Sequence, residues 1–510
     1  MQQQRQIITH PGFSRPDRTI WVVLAIWAAV IAAVAVLLWI ENEMGDSNSG
    51  VYLVPWILLC GTVVLSPSAY LFYKNKFDLF HPLVFAAWSY VFPAFVVGGI
   101  IIALDFANPF FMSHVEDPKT NIPYSLLLVS IGFAGMIVGF ALPVGRFLGE
   151  KIVNLLPKWE WEPTKLWGPG FLLMFMGIGV NIIGLIRGIM GYQKLEEVGI
   201  FDSLLYFLLT ILTVGTILVW LGIFYAKERT PIFYIVVAAA VAFIPLRMAL
   251  LGSRSGLMIS VMPIMMAYLY AGRKLTVRSS LVLGTIAVLA VGIGVIYGTS
   301  FRNIKGSEAR VEAGEYAAQV GATIDYLTGE DPIEILGSSL QALSDRIENL
   351  SSLAVVVSNY ERLAPFEASY GLENNIVNDA LTSFVPRFVW PDKPNTSDAR
   401  AYSDLYFNFG ENSFAISPFG DLLRNFGPIG VPLGMLIVGL YLRVIYSALI
   451  DSGSPAMWKK AAYFPLLTVI SYESFYAIIF PSLIRTLAVL AVSMILVNIL
   501  VRGIRRSPRS

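Results

Sequence analysis

The feature that most limits this chain is a recurring block of about 20 residues almost free of charge, the length a helix needs to cross a hydrocarbon layer of roughly 30 Å. Twelve such blocks can be read, near 19–40, 51–73, 81–103, 122–145, 166–189, 203–226, 231–250, 255–271, 281–299, 428–450, 461–481 and 484–501. In a bilayer the backbone must satisfy its own hydrogen bonds, so segments like these fold as helices. Their effect is visible in composition: 56% of the 510 residues are hydrophobic and 14% charged, against roughly 25% charged in a soluble domain. The expected fold is all-α and polytopic, with about twelve membrane helices.

The first block follows Arg5, Arg15 and Arg18, as a secretory signal would. It is too long for a signal core, and Trp39-Ile-Glu-Asn-Glu-Met44 lacks the small residues of a cleavage site. It reads as a retained first helix. The net charge of +1 gives no support for a nucleic-acid partner. Cys60, the single cysteine, rules out a disulfide within the chain and a cysteine-based metal site. No glycine-rich phosphate loop followed by lysine occurs, and no spaced set of His, Cys or carboxylates. The sequence therefore predicts no cofactor, no metal and no ATP-driven pumping.

Lysine and arginine in short loops set orientation. Basic residues mark every second connection: Lys74 and Lys76, then Arg146 to Lys165, Lys227 and Arg229, Arg273 to Arg278, and Lys459 and Lys460. Both the arm 1–18 and the tail 502–510 are basic as well. The reading is a multi-pass protein of the inner (cytoplasmic) membrane with both termini cytoplasmic. Helices 1–9 fill 19–299, helices 10–12 fill 428–501, and 300–427 forms one large extracytoplasmic, periplasmic loop segment between helices 9 and 10. That segment shows helical patterns near 309–327, 333–363 and 372–384, and Pro386, Pro391, Pro394 and Pro418 break its later part.

Some arginines break the orientation rule. Arg187, Arg247, Arg254, Arg302 and Arg485 fall at the outer ends of helices, and Arg387 and Arg424 lie in the outer segment. A charge near membrane depth is costly and is a functional candidate by default. A guanidinium offers a fixed fork of donors that suits phosphate. The competing reading is local pairing, since the segment 300–427 holds eighteen acidic and nine basic residues. In Leu251-Gly-Ser-Arg-Ser-Gly256 small residues let a ligand approach the backbone, and Arg247 lies about two turns before Arg254. Glu473 is expected inside the eleventh helix, either paired with Arg485 or acting as a base. His114 reads as a surface residue or a base, His81 as structural.

The stretch Phe384-Val-Pro-Arg-Phe-Val-Trp-Pro-Asp-Lys-Pro394 is followed by Gly420-Asp-Leu-Leu-Arg-Asn-Phe-Gly-Pro-Ile-Gly430, which leads into the tenth helix. Together with Gly252-Ser-Arg254 and Phe80-His-Pro82, these resemble the O-antigen polymerase (Wzy-type) family of oligosaccharide repeat-unit polymerases. The resemblance implies a GT-C-like membrane glycosyltransferase working on undecaprenyl-diphosphate-linked oligosaccharides, with a chain-length regulator and a flippase as possible partners. A leaving diphosphate needs its charge balanced, which preorganised arginines do without a metal. Arg254 and Arg387 are assigned first, then Arg247, Arg302, Arg424 and Arg485. The acceptor hydroxyl needs a base, for which Glu473, Asp421 and Asp392 are candidates in that order. Tyr370, Trp390, Tyr402 and Tyr406 would stack on sugar, or pack the outer segment. An O-antigen ligase-type glycan transferase is the nearest alternative. A polysaccharide flippase or anion transporter is a further one, though the two halves show no internal repeat.

Overall fold

A computed structural model of the protein describes residues 25–34, 50–187, 208–251, 256–272, 296–301, 314–329, 332–385, 397–410, 416–451 and 455–506, with isolated positions between them. Among these every regular element is helical. In chain order they are α1 (Ala25–Val34), α2 (Gly50–Tyr73), α3 (Pro82–Ala103), α4 (Pro118–Ala141), α5 (Pro143–Leu155), α6 (Pro163–Ile186), α7 (Thr210–Tyr225), α8 (Pro231–Leu251) and α9 (Gly256–Tyr270). They continue with α10 (Tyr316–Gly329), α11 (Pro332–Ile347), α12 (Leu350–Leu363), α13 (Asn375–Thr382), α14 (Ala399–Phe407), α15 (Ser417–Leu449), α16 (Met457–Thr468) and α17 (Ile479–Arg506).

Among the described residues, six helices are long and apolar enough to cross a membrane, counting the turn Tyr476–Ile478 with α17: α2, α3, α4, α6, α15 and α17. Four shorter apolar stretches lie in α1, α7, α8 and α9. Most of the ninth expected helix, 281–299, lies outside the described residues. Proline sets many starts. Pro82, Pro118, Pro143 and Pro163 each sit at the first turn of a helix, where a missing N–H costs nothing. Pro143 also ends α4 by holding Leu142 extended, so the fourth helix stops short of the expected 145 and a separate helix, α5, follows.

The last part of the chain differs most from expectation. The eleventh and twelfth helices were expected at 461–481 and 484–501. The short α16 instead ends at Thr468, and an irregular stretch leads to the turn Tyr476–Ile478 and α17. Glu473 therefore lies in a loop rather than inside a helix, and Arg485 lies within α17 rather than at its start. The tenth helix begins at Ser417 and is broken at Gly427 (φ 67°, ψ −170°), a conformation that suits a residue without Cβ.

The bundle is held by close helix contacts that only small residues allow. A Cβ at Gly139 of α4 would overlap the Leu436 carbonyl of α15, and one at Gly439 would overlap the Met136 carbonyl of α4. The α6–α7 pair repeats the device at Gly177, whose Cβ would sit 2.7 Å from Leu212 Cα. At the end of the bundle that carries α5, buried polar contacts tie loops to helices. Tyr270 donates to Asp78 (3.1 Å), and Lys460 donates to the Tyr270 carbonyl and to the Tyr225 hydroxyl (2.6 Å). His81 is buried between Phe140 and Tyr446 rings, 5.0 and 5.1 Å away.

Enlarging the tightest contact should be costly. Gly139→Ala is expected to lower detergent-solubilised stability by about 1–3 kcal/mol, whereas Gly179→Ala, with nothing within 4 Å of its Cβ, should change it little. Thermal unfolding of the two variants checks this.

Candidate functional site

The helices α11 to α14 gather over the starts of α4, α15 and α17 and the end of α3. Their seat is specific. The Asn349 N–H donates to the Ala94 carbonyl (3.2 Å), and Leu350 follows at the start of α12 with no exposed surface. The Asn359 amide donates to the His114 carbonyl (3.3 Å), and Arg362 pairs with Glu116. His114, weighed as a base, is half-buried and packs on aromatics: its ring lies 5.0 Å from Phe110 and 5.8 Å from Phe407.

A buried polar network locks this layer to the first turns of α15. The Asp421 side chain has no exposed surface. It accepts from Arg424 Nη2 (3.0 Å), Asn375 Nδ2 (3.1 Å), Asn425 Nδ2 (3.3 Å) and the Ala477 backbone N–H (3.1 Å). Arg424 also pairs with Glu367 (3.0 Å) and donates to Asn375 Oδ1 (3.0 Å). Glu367 accepts from the Tyr406 hydroxyl (3.1 Å). Burial holds the Tyr406 phenol well above its ordinary range, so it stays a donor. The network joins α13, α14, α15 and the turn before α17. Here Arg424 and Asp421 serve each other and not a ligand, because neither side chain reaches solvent.

Two of the expected sugar platforms are likewise internal. Tyr402 has no exposed surface and Tyr406 is buried; their rings pack 5.0 Å apart, with Phe475 5.9 Å from Tyr402. For these two the structure matches the packing alternative, since neither ring has a free face on which a sugar could stack. Tyr370 and Trp390 are exposed. Arg254, Arg387, Arg302 and Asp392 lie outside the described residues, as does the side chain of Arg247. Arg485 is partly buried in α17.

Glu473 is an accessible carboxylate at the edge of this layer. It pairs with Arg346 of α11 across 3.6 Å, and the two side chains are 45% and 42% exposed. An exposed pair of this kind stabilises a fold by about 0–1 kcal/mol, so it adds little to holding α11 against the loop before α17. Arg346 was not singled out in the sequence, because it sits in a polar helix rather than at the end of an apolar one. Beneath the pair lies Tyr90, which feels the charges of Glu473, Glu348 and Arg346. Its ring stacks on Tyr472 at 6.4 Å, and its buried hydroxyl has no hydrogen-bond partner among the described residues. Tyr90 belongs to an eleven-residue π-helical stretch of α3, Ala87–Val97, an irregularity that often marks functional sites. Beside it Glu348 is buried against Gly98 and accepts from the Ser351 N–H (2.7 Å) and hydroxyl. Burial pushes its carboxyl above the ordinary range. Among the described residues no three His, Cys, Asp or Glu side chains converge as a metal ion would require.

The apolar helices and this polar cap define a multi-pass, all-helical membrane protein. The chain matches a family described as a domain of unknown function (DUF8712) over residues 179–449, more than half its length, and belongs to that family. The matched stretch runs to the last residue of α15 and includes Arg346, Glu367, Asp421 and Arg424. No curated protein and no solved structure matches the chain.

Breaking the network by Arg424→Ala strands two carboxylates and should cost about 3–5 kcal/mol, read as a lower unfolding midpoint; a loss under about 1 kcal/mol would contradict the network's role. Glu348 gives a pH signature. Its folded pKa lies above the unfolded value of about 4.3, so its contribution is complete below that pH and is lost as pH rises through the raised value. Unfolding temperature should fall over that window, and Glu348→Gln should flatten the slope.

Proposed function

We propose that the protein is a GT-C-like membrane glycosyltransferase that polymerises undecaprenyl-diphosphate-linked oligosaccharide repeat units on the outer face of the inner membrane. In this reading twelve helices span the bilayer, both termini are cytoplasmic, and the layer of α11–α14 lies on the periplasmic side. The basic residues near α5 and in the connections on its side support that orientation. The observation that carries the reading is the solvent-facing Glu473–Arg346 pair at the membrane end of the bundle, above the unpartnered Tyr90 hydroxyl. It offers an exposed carboxylate beside a cation, the two charges that transfer from a lipid-linked diphosphate would use.

The chemistry is a displacement at a sugar C1. The acceptor hydroxyl of a fresh repeat unit gives its proton to Glu473 while its oxygen attacks C1 of the growing glycan. The C1–O bond to undecaprenyl diphosphate breaks, and the electron pair leaves with the diphosphate. Arg346 joins Arg254 and Arg387 as the cations that balance the developing charge. Exposed Tyr370 and Trp390 would bind sugar faces.

Purified protein in proteoliposomes, given the native lipid-diphosphate repeat unit, should produce a ladder of products. A positioned base contributes about 10²–10⁴-fold, so Glu473→Gln should slow laddering on the order of 100-fold or more while leaving the unfolding temperature near that of the parent. Arg254→Ala and Arg387→Ala should abolish it. Absence of any ladder with the native substrate would contradict the proposal. One transfer to an acceptor without lipid would identify a ligase, and substrate movement without elongation a transporter.

A further inference from the structure

The opposite end of the bundle carries a second site, which the reading above does not use. There α5 leaves α4 and packs on α15 through Gly145 and Gly149; a Cβ on Gly145 would come within 2.8 Å of Arg443 Cγ. Its other face exposes Val144, Phe147, Leu148, Ile152 and Leu155. Their spacing of three and four residues puts them on one stripe. Arg146 and Lys151 flank that stripe; Arg146 pairs with Glu150 (2.8 Å), and Lys151 lies 4.4 Å over the Phe147 ring. An amphipathic helix with an exposed apolar face and basic flanks, joined to a membrane helix by a bend, lies in the membrane interface.

Directly after α5 the chain forms a cavity of about 210 Å³ with the end of α17, lined by Lys158, Trp159, Trp161, Asn498, Val501 and Arg502. Trp159 and Trp161 stack at 6.1 Å, and Trp458 meets Trp159 edge-on at 5.6 Å. Tryptophan gathers at the headgroup level of a bilayer. Trp161 Nε1 donates to Asn498 (3.3 Å), which fixes the indole in the wall. Lys158 and Arg502 are exposed at the rim, and neither has an ion-pair partner among the described residues. By contrast, Arg146, Lys165 and Arg443 at this end are each matched to a carboxylate. One acid, Glu160, joins the lining, so the rim carries two positive charges and one negative.

We propose that this cavity binds the headgroup of an anionic phospholipid, with the phosphate between Lys158 and Arg502 and the acyl chains along the apolar stripe of α5. The net single positive charge matches one phosphodiester. A zwitterionic headgroup would bring its own ammonium against the same two cations and bind less well. The tryptophan walls exclude water from the glycerol region, and the stripe supplies what a free phosphate lacks. The site therefore prefers a lipid to its soluble headgroup.

The test is native mass spectrometry of the full-length protein in detergent, titrated with dioleoylphosphatidylglycerol or dioleoylphosphatidylcholine. The parent should prefer the anionic lipid by roughly tenfold or more, given two basic residues at a membrane surface. Lys158→Gln with Arg502→Gln should erase that preference, and Arg502→Gln alone should reduce it; this exposed end of α17 tolerates the change. Lys227→Gln with Arg229→Gln, an exposed basic pair in another loop of the chain, should keep it. An unchanged preference in the first double variant would overturn the proposal. So would an equal loss in the control pair, which would make the effect one of general charge. Competition by glycerol phosphate at the lipid's own concentration would show a soluble-anion site and overturn it as well.

Discussion

Two carboxylates share one buried guanidinium, and the cap over the membrane helices hangs on that arrangement. Asp421 and Glu367 both pair with Arg424 at 3.0 Å. Burying three charges is expensive, and their mutual pairing with added hydrogen bonds offsets that cost, although Arg424 Nε has no partner among the described residues. Asn375, Asn425, Tyr406 and the Ala477 N–H supply those bonds. Since these groups come from separate elements, the network closes only when the cap is seated. The glycine contacts between α4 and α15 hold the helix that presents Asp421 and Arg424, so the membrane packing and the polar cap depend on each other.

That dependence places the accessible chemistry. With Arg424 and Asp421 committed inward, the free edge of the cap is where Glu473 meets Arg346. The loop carrying Glu473 is irregular, and the π-helical stretch of α3 beside it is irregular too. Irregular backbone at membrane depth persists where protein covers it or where it lines a wet cavity. At the other end, α5 and the tryptophans make a collar of different character: basic, aromatic and apolar on its exposed face.

Much of the membrane fold was legible because long apolar runs have one stable outcome in lipid. The helices expected at 51–73 and 81–103 are found at Gly50–Tyr73 and Pro82–Ala103, and the helical patterns of the segment 300–427 recur as α10 to α13. The misses have physical causes. An averaging window over Ile470-Ser-Tyr-Glu-Ser-Phe-Tyr476 stays apolar, so it hid the break between α16 and α17. Amphipathic α5 lacks the unbroken run that signals a span, and it was merged into a loop. Arg424 was read as a diphosphate ligand and Asp421 as a base, but sequence spacing cannot tell a charge waiting for a ligand from one already matched inside the fold. Arg346 carried no signal at all, since its importance comes from a neighbour some 130 residues later in the chain, a separation set by Arg346 and Glu473 themselves.

Sidedness is the claim on which the functional reading stands, and thiol labelling in intact cells measures it most directly. Cys60 is buried, so a Cys60→Ser background is a clean start. Glu361→Cys and Glu373→Cys report on the cap, and Glu150→Cys and Glu228→Cys on the opposite side; all four positions are exposed. The account predicts that a membrane-impermeant maleimide labels the first two in intact spheroplasts and the second two only after the membrane is opened. Labelling of Glu150→Cys or Glu228→Cys from outside, with the cap protected, would contradict it.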